Sequence, residues 1–276
     1  MQCYLEAVWR TLNSNFTTAL VGSLAGAFAG AYAAQKIAVR AKLRDDVSRD
    51  LASLNAAISL ASSIASTAFN LKSQHVGPML SSYLTEKHRF EEWISKRKTG
   101  AIQGNTKYDL RIDLRTMPTA NTPTAALSGL VYGQVQIVGR PLNLCAALVS
   151  AVDNLNAAIQ QRARYIEMFK AGALPDGAGV TELYLGLPYG QGHVNQEFGD
   201  NLSAIHSYVD DVIFFSTQLC ADLTSSGEEL RSKHKRILKP SSVSVIRTDF
   251  SEQQAGGLMP NLESYQSWFA GFKKAK

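Results

Sequence analysis

The sequence predicts a mainly α-helical protein, in which one transmembrane helix precedes a cytosolic bundle of long helices with a small β-sheet appendage. Three patterns support this fold class. A stretch near the N-terminus carries no charge, later segments repeat apolar residues every three or four positions, and a few short segments alternate apolar with polar residues. These patterns are typical of a membrane span, of amphipathic helices and of half-buried strands.

The uncharged stretch lies between Arg10 and Lys36. Within it, Phe16 to Ala34 is nearly all apolar or small. A helix of that length crosses a hydrocarbon layer of roughly 30 Å. We therefore predict a short extracytoplasmic tail (1–15), a transmembrane helix (16–35) and a cytosolic helical domain (36–276).

The charges that flank this stretch predict its orientation. Four basic residues follow it, namely Lys36, Arg40, Lys42 and Arg44. Before it, Arg10 is offset by Glu6. Because positive flanks stay on the cytoplasmic side, we expect the N-terminus outside and the C-terminus in the cytoplasm. The predicted location is a bacterial inner membrane, crossed once.

The predicted span carries a row of glycines at Gly22, Gly26 and Gly30. The i, i+4, i+8 spacing places them on one face, where a second helix can approach closely. This pattern predicts helix association within the membrane and a homo-oligomer. The alternative is a Gly/Ala-rich helix in a soluble core, where each glycine would cost about 1 kcal/mol relative to alanine.

Two other interpretations of the N-terminal region are weaker. Ala31-Tyr32-Ala33 resembles a signal-peptide cleavage site, but the residues before the stretch are not basic and those after it are. A second uncharged stretch, Leu51 to Leu71, contains many Ser, Thr and Asn residues. These polar groups favour a soluble helix over a second span.

The cytosolic part shows helical spacing in several long segments. One narrow seam of the coiled-coil kind comprises Val47, Leu51, Leu54, Ile58, Ala61, Ala65 and Ala68. Gly77-Pro78 interrupts this helix, which is expected to resume or bend there and to run to about Lys96. A short helix is expected at Ala125–Tyr132. Two further long helices are expected from Pro141 to near Gly172 and from about Phe198 to Lys235.

Three segments are predicted to be strands. Apolar and charged residues alternate from Tyr108 to Leu114, the pattern of a half-buried strand. Gln134–Gly139 and Ser241–Phe250 are the other two, and the last could pair with the first.

No established catalytic motif occurs in the sequence. The best candidates for a catalytic or metal site are two pairs spaced i, i+4, His193 with Glu197 and His206 with Asp210. Each pair shares a helix face if its segment is helical. Such pairs are more often exposed hydrogen-bonded partners. We therefore predict no metal, no cofactor and, on balance, no enzymatic activity.

The net charge of +5 is spread along the chain. Two basic runs, Lys96–Lys98 and Lys233–Lys239, lack the interleaved aromatic residues of a nucleic-acid platform and lie where helices should end. Nucleic acid is therefore not an expected partner. The expected partners are membrane lipid, a second copy of the chain and a protein that binds the bundle.

Three functional classes remain open. The leading hypothesis is a membrane-anchored, self-associating, non-enzymatic protein whose bundle binds a partner, with a membrane-perturbing effector as its sharper version. The second is a membrane-tethered enzyme that uses the His/Glu/Asp residues. The third is a soluble helical scaffold.

Overall fold

The computed structural model describes residues 8–9, 15–104, 106–238 and 243–272, with the side chains of residues 15 and 16 excepted. Glu6 and Arg10, which contribute to the predicted orientation, lie outside these residues. The described chain is mainly helical. Its first part contains helix α1 (Asn15–Leu71), a π-helical turn (Lys72–Val76), and helices α2 (Gly77–Lys98), α3 (Thr124–Gly133) and α4 (Arg140–Ala171). Its second part contains helix α5 (Val180–Leu185), strands β1 (Pro188–Tyr189) and β2 (His193–Val194), helices α6 (Glu197–Lys233) and α7 (Ser251–Ala255), a 3-10 turn (Leu262–Tyr265) and helix α8 (Gln266–Ala270).

The chain divides into two compact units. One comprises Met1–Ala52 and Glu229–Ser244, and the other comprises Ser53–Glu228 and Val245–Lys276.

The larger unit is a helical bundle built from α2, α3 and α4 with the parts of α1 and α6 that belong to it. Asn201 of α6 donates its amide to the Ala158 carbonyl of α4 at 3.1 Å. The Cys220 thiol of α6 donates to the Ile58 carbonyl of α1 at 3.7 Å. The predicted seam residues of α1 that belong to this unit are all buried, namely Leu54, Ile58, Ala61, Ala65 and Ala68. Val47 and Leu51, in the smaller unit, are buried as well. Since burial of apolar side chains is the main driving force for folding, this seam stabilises the bundle.

An aromatic cluster fills one region of the bundle. Phe198 of α6 packs against Tyr184, Phe169 and Tyr83, with ring centroids 4.8, 5.3 and 6.2 Å apart. Phe198 and Tyr184 are 2% and 1% exposed, respectively. These rings therefore join α2, α4, α5 and α6.

The helices follow the sequence pattern closely. The predicted short helix and the two later long helices are present as α3, α4 and α6. Gly172 ends α4 in a left-handed conformation with φ 65°, which glycine adopts without strain. The helix predicted to resume or bend at Gly77-Pro78 does resume there: α1 ends at Leu71, the π-helical turn follows, and α2 begins at Gly77 and runs to Lys98. The wider turn gives room to the proline ring, which in an α-helix would clash with the carbonyl four residues earlier.

From Ser53 onward, the second uncharged stretch, Leu51–Leu71, belongs to the larger unit. Leu54, Ile58 and Ile64 are 3%, 0% and 0% exposed. The polar residues Ser63 and Asn70 face solvent.

The small sheet is present, but the predicted strands were wrong. Its two antiparallel strands are β1 and β2, with Pro188 opposite Val194 and Tyr189 opposite His193. Residues 108–114 and 134–139 form no strand, and neither does the described part of the third segment, 243–250.

The first of these segments is an extended strap, residues 106–117, whose backbone is bonded to side chains of the bundle. The Arg111 amide donates to the Glu86 carboxylate at 2.9 Å, and Arg162 donates to the Asp113 and Arg115 carbonyls at 3.2 and 2.6 Å. Side chains therefore occupy backbone groups that a neighbouring strand would otherwise bind. The alternation reflects which side of the strap faces the bundle.

Candidate functional site

The most unusual surface of the molecule is the N-terminal part of α1. Every residue from 18 to 40 is exposed. The exposed fractions of its large apolar side chains are 48% for Leu20, 61% for Val21, 51% for Leu24, 74% for Phe28 and 69% for Ile37. A helix that is apolar on all sides requires a covering, from lipid or from other protein.

In the described part of the chain, two helical runs are long and apolar enough to cross a membrane, Thr17–Lys98 and Arg140–Ala171, and the most apolar part of each is 44% buried. The second run is α4, whose apolar residues Leu144, Leu148 and Leu155 are fully buried in the bundle. α4 therefore has its covering within the chain. Of these two runs, only Thr17–Lys98 includes a long apolar stretch that the described chain does not cover.

The glycine row lies on this exposed stretch. A methyl group added at Gly22, Gly26 or Gly30 would meet no atom of the described chain within 4 Å. The interpretation of this helix as a buried core helix, in which glycine permits close packing inside the chain, is therefore not supported. The row is free to meet another helix.

Basic residues gather just beyond the apolar stretch, within the smaller unit. Arg40 and Arg44 of α1 line a cleft of about 610 Å³ together with Lys233 at the end of α6 and Arg236 beyond it. Its apolar lining comprises Ile37, Ala41 and Ile237. We call this the basic cleft.

The four predicted flanking cations do not all line this cleft. Arg40 and Arg44 line it, whereas Lys36 Nζ lies 5.8 Å from the centroid of the Tyr32 ring, and Lys42 is exposed.

Arg44 of the basic cleft is ion-paired. Asp45 accepts from Arg44, with the two ion-pair atoms 3.1 Å apart. Among the described residues, Arg40, Lys233 and Arg236 form no ion pair. The cleft therefore has an excess of unpaired positive charge.

The first of the predicted catalytic pairs does not share a helix. His193 lies in β2, whereas Glu197 begins α6. Tyr165 donates to the Glu197 carboxylate at 2.8 Å, on the surface. In the described part of the chain, no three His, Cys, Asp or Glu side chains lie close enough together to hold a metal ion.

The second pair lies on α6, and its carboxylate binds a lysine. His206 Nδ1 is 3.8 Å from Asp210, whereas Lys72 Nζ donates to Asp210 at 2.6 Å. Lys72 also donates to the Leu258 carbonyl at 2.9 Å. Asp210 thus helps to join the π-helical turn to the C-terminal segment, a structural arrangement.

The neighbouring Asp211 also helps to hold the C-terminal segment, through Tyr265. Burial raises the pKa of Asp211, the charge of Asp210 raises it further, and a hydrogen bond from Tyr265 opposes both. Tyr265 donates to Asp211 at 2.8 Å and stacks on Phe214 with ring centroids 3.8 Å apart. The C-terminal aromatic segment is therefore docked on the bundle.

A smaller cleft of about 170 Å³ is lined by Arg162, His75 and Asp113 among others. Arg162 is 2% exposed, and burial lowers its pKa, while the charge of Asp113 raises it. Its two terminal nitrogens donate to carbonyls of the strap. The hydrogen bonds to the strap therefore account for the position of this guanidinium, and Asp113 in the cleft wall is ion-paired with Arg115 at 2.7 Å.

The basic run that contains Lys233 and Arg236 is visible in the sequence, but its position there indicates only the end of a helix. Their proximity to Arg40 is a tertiary contact between segments almost two hundred residues apart. No local pattern carries that information.

Comparisons with known proteins identify no relative: no family model matches the chain, and no curated protein or solved structure is significantly similar to it.

Proposed function

We propose that this chain is a single-pass, non-enzymatic membrane protein, anchored by residues 16–35, that self-associates through its anchor. Its helical domain lies in the cytoplasm and binds a partner there. The observation that supports the proposal is the uninterrupted exposure of residues 18–40 in a helix without charge before Lys36. In a soluble scaffold, one face of such a helix would be expected to pack against the rest of the chain.

The anchor is tested by placing one charge in its middle. Leu24→Asp should move the full-length protein from the carbonate-resistant membrane fraction into the soluble fraction, because an aspartate at a helix centre costs about 3 kcal/mol on insertion. Leu84→Asp is the matched control, since Leu84 of α2 has nearly the same exposure, 53% against 51% for Leu24. Membrane retention of Leu24→Asp, or wild-type protein that is soluble without detergent, would contradict the proposal.

Self-association is tested separately. Gly26→Ile fills the middle of the glycine row, whereas Ala31→Ile makes a small-to-large change about 140° away around the helix. Energy transfer between labelled full-length copies in vesicles should fall strongly for Gly26→Ile and little for Ala31→Ile. Equal transfer in both variants would remove the glycine row from the proposal and leave the anchor intact.

The more specific versions of this function also remain proposals. Coiled-coil pairing between copies would use a seam whose residues are already covered in the bundle, so it requires a rearrangement. A membrane-perturbing effector would couple such a rearrangement to clustering of anchors. Both versions depend on the anchor.

A further inference from the structure

We propose that the basic cleft binds the headgroup of an anionic phospholipid. This inference rests on the proposed membrane anchor and adds a ligand and a site to it. The occupant is identified by three properties of the cleft: its charge, its apolar lining and its distance from the end of the apolar stretch.

The charge of the cleft favours a phosphate group. Arg40, Lys233 and Arg236 have no ion-pair partner among the described residues, and Asp45 engages only Arg44. Arginine presents several N–H donors in a geometry that suits phosphate oxygens. A helix C-terminus attracts cations by its dipole, which accounts for Lys233 but not for the presence of Arg40 from a different helix.

The apolar lining favours a lipid over a soluble phosphate. Ile37, which is 69% exposed, and the half-buried Ile237 both line the cleft. A free phosphate ion would leave these side chains uncovered. A phospholipid presents a phosphate with apolar carbon next to it, which matches both parts of the lining.

The position along α1 agrees with the depth of a headgroup layer. Arg40 follows Ala34 by six residues, a rise of about 9 Å along the helix. The polar layer of each leaflet extends about 5–7 Å beyond the hydrocarbon, and the long Arg40 side chain reaches back into it from just outside. Basic residues directly beyond a membrane helix are typical binding sites for anionic lipids.

The test uses the full-length protein in phosphatidylcholine vesicles with spin-labelled phosphatidylglycerol or spin-labelled phosphatidylcholine of the same chain length. The spectrum gives the relative association of each lipid with the protein. Wild type should prefer phosphatidylglycerol. Arg40→Gln/Lys233→Gln/Arg236→Gln should lower that preference about fivefold or more, at least the change expected for one cation at a membrane surface.

Two controls separate charge at this cleft from net charge and from folding. Lys87→Gln/Lys98→Gln/Lys107→Gln removes three exposed cations of the bundle and should leave the preference unchanged. Arg40→Lys/Lys233→Arg/Arg236→Lys retains the cations and should keep most of the preference.

Three outcomes would overturn the inference. The first is equal lipid selectivity in wild type and the triple glutamine variant, and the second is an equal loss of selectivity in the bundle control. The third is loss of the preference for phosphatidylglycerol when inorganic phosphate replaces chloride at constant ionic strength, which would indicate a site for free phosphate. Vesicle flotation separates this inference from the anchor. Wild-type protein that floats with vesicles but prefers neither lipid contradicts the lipid site alone, whereas protein that does not float contradicts the proposed function itself.

Discussion

At the scale of single residues, Glu86 of α2 is a buried carboxylate that binds the strap. It is 4% exposed and accepts hydrogen bonds from Arg89, from the Tyr108 hydroxyl at 2.9 Å and from the Arg111 amide at 2.9 Å. Arg89 in turn donates to the Asp109 carbonyl. One carboxylate therefore holds both a side chain and the backbone of the strap.

Glu86→Gln should destabilise the bundle. The neutral amide weakens the charge-assisted bonds and places an N–H₂ group where Glu86 offers only acceptors, so we expect a loss of about 2 kcal/mol in the free energy of unfolding at pH 7. Urea unfolding of the full-length protein in detergent, followed by circular dichroism, measures it. Glu91→Gln, at an exposed position of the same helix, should stay within about 0.5 kcal/mol of wild type. Equal stabilities of the two variants would contradict the role of Glu86.

The same contacts predict a pH dependence. Burial raises the pKa of Glu86, but the hydrogen bonds from Arg89, the Arg111 amide and Tyr108 together outweigh burial and hold the pKa below its ordinary value of 4.5. The stability contributed by ionised Glu86 is therefore fully present above pH 4.5 and is lost as the pH falls through the lowered pKa. The difference in stability between wild type and Glu86→Gln should shrink between pH 6 and about pH 3. A constant difference across this range would contradict the assignment.

At the scale of elements, extended straps explain why helices were predicted well and strands were not. Helical spacing in α4 and α6 reports burial of one face, which the bundle provides. Alternation in residues 106–117 also indicates burial of one side, but it does not show which groups bind the backbone. In this protein, side chains of α2 and α4 bind it. Residues 245–250 form a second such segment, since Asn55 accepts the Ile246 amide at 2.9 Å and Thr224 donates to the Ile246 carbonyl at 3.2 Å.

The contacts that hold the strap predict how fast trypsin cleaves within residues 106–117. Glu86→Gln/Arg162→Gln weakens its bonds from two helices, so trypsin should cleave after Lys107, Arg111 or Arg115 about tenfold faster or more, since local opening requires less free energy. Early tryptic fragments of the full-length protein, identified by mass spectrometry, give the rate at these sites. Glu91→Gln/Arg164→Gln changes the same residue types on the same two helices and should cleave at the wild-type rate. Equal rates in both double variants would show that the strap is held by other contacts.

At the scale of the whole molecule, apolar residues occur in two distinct settings. In the bundle they are covered by the chain itself, and the sequence predicts most of them from their spacing. Along residues 18–40 they remain uncovered. The exposed apolar stretch could be predicted from its lack of charge, and two of the four cations of the basic cleft, Arg40 and Arg44, from the basic flank of that stretch. The other two, Lys233 and Arg236, depend on where the end of α6 lies in three dimensions, which local patterns do not encode.

The central claim is a single membrane span with the helical domain in the cytoplasm. Its most direct test is protease digestion of inside-out bacterial membrane vesicles that contain the full-length protein tagged at both termini. We expect carbonate-resistant protein with a shielded N-terminal tag and a digested C-terminal tag, and digestion of both tags once detergent opens the vesicles. A soluble protein, an N-terminal tag digested in sealed vesicles, or a chain shortened near Ala33 would contradict the account.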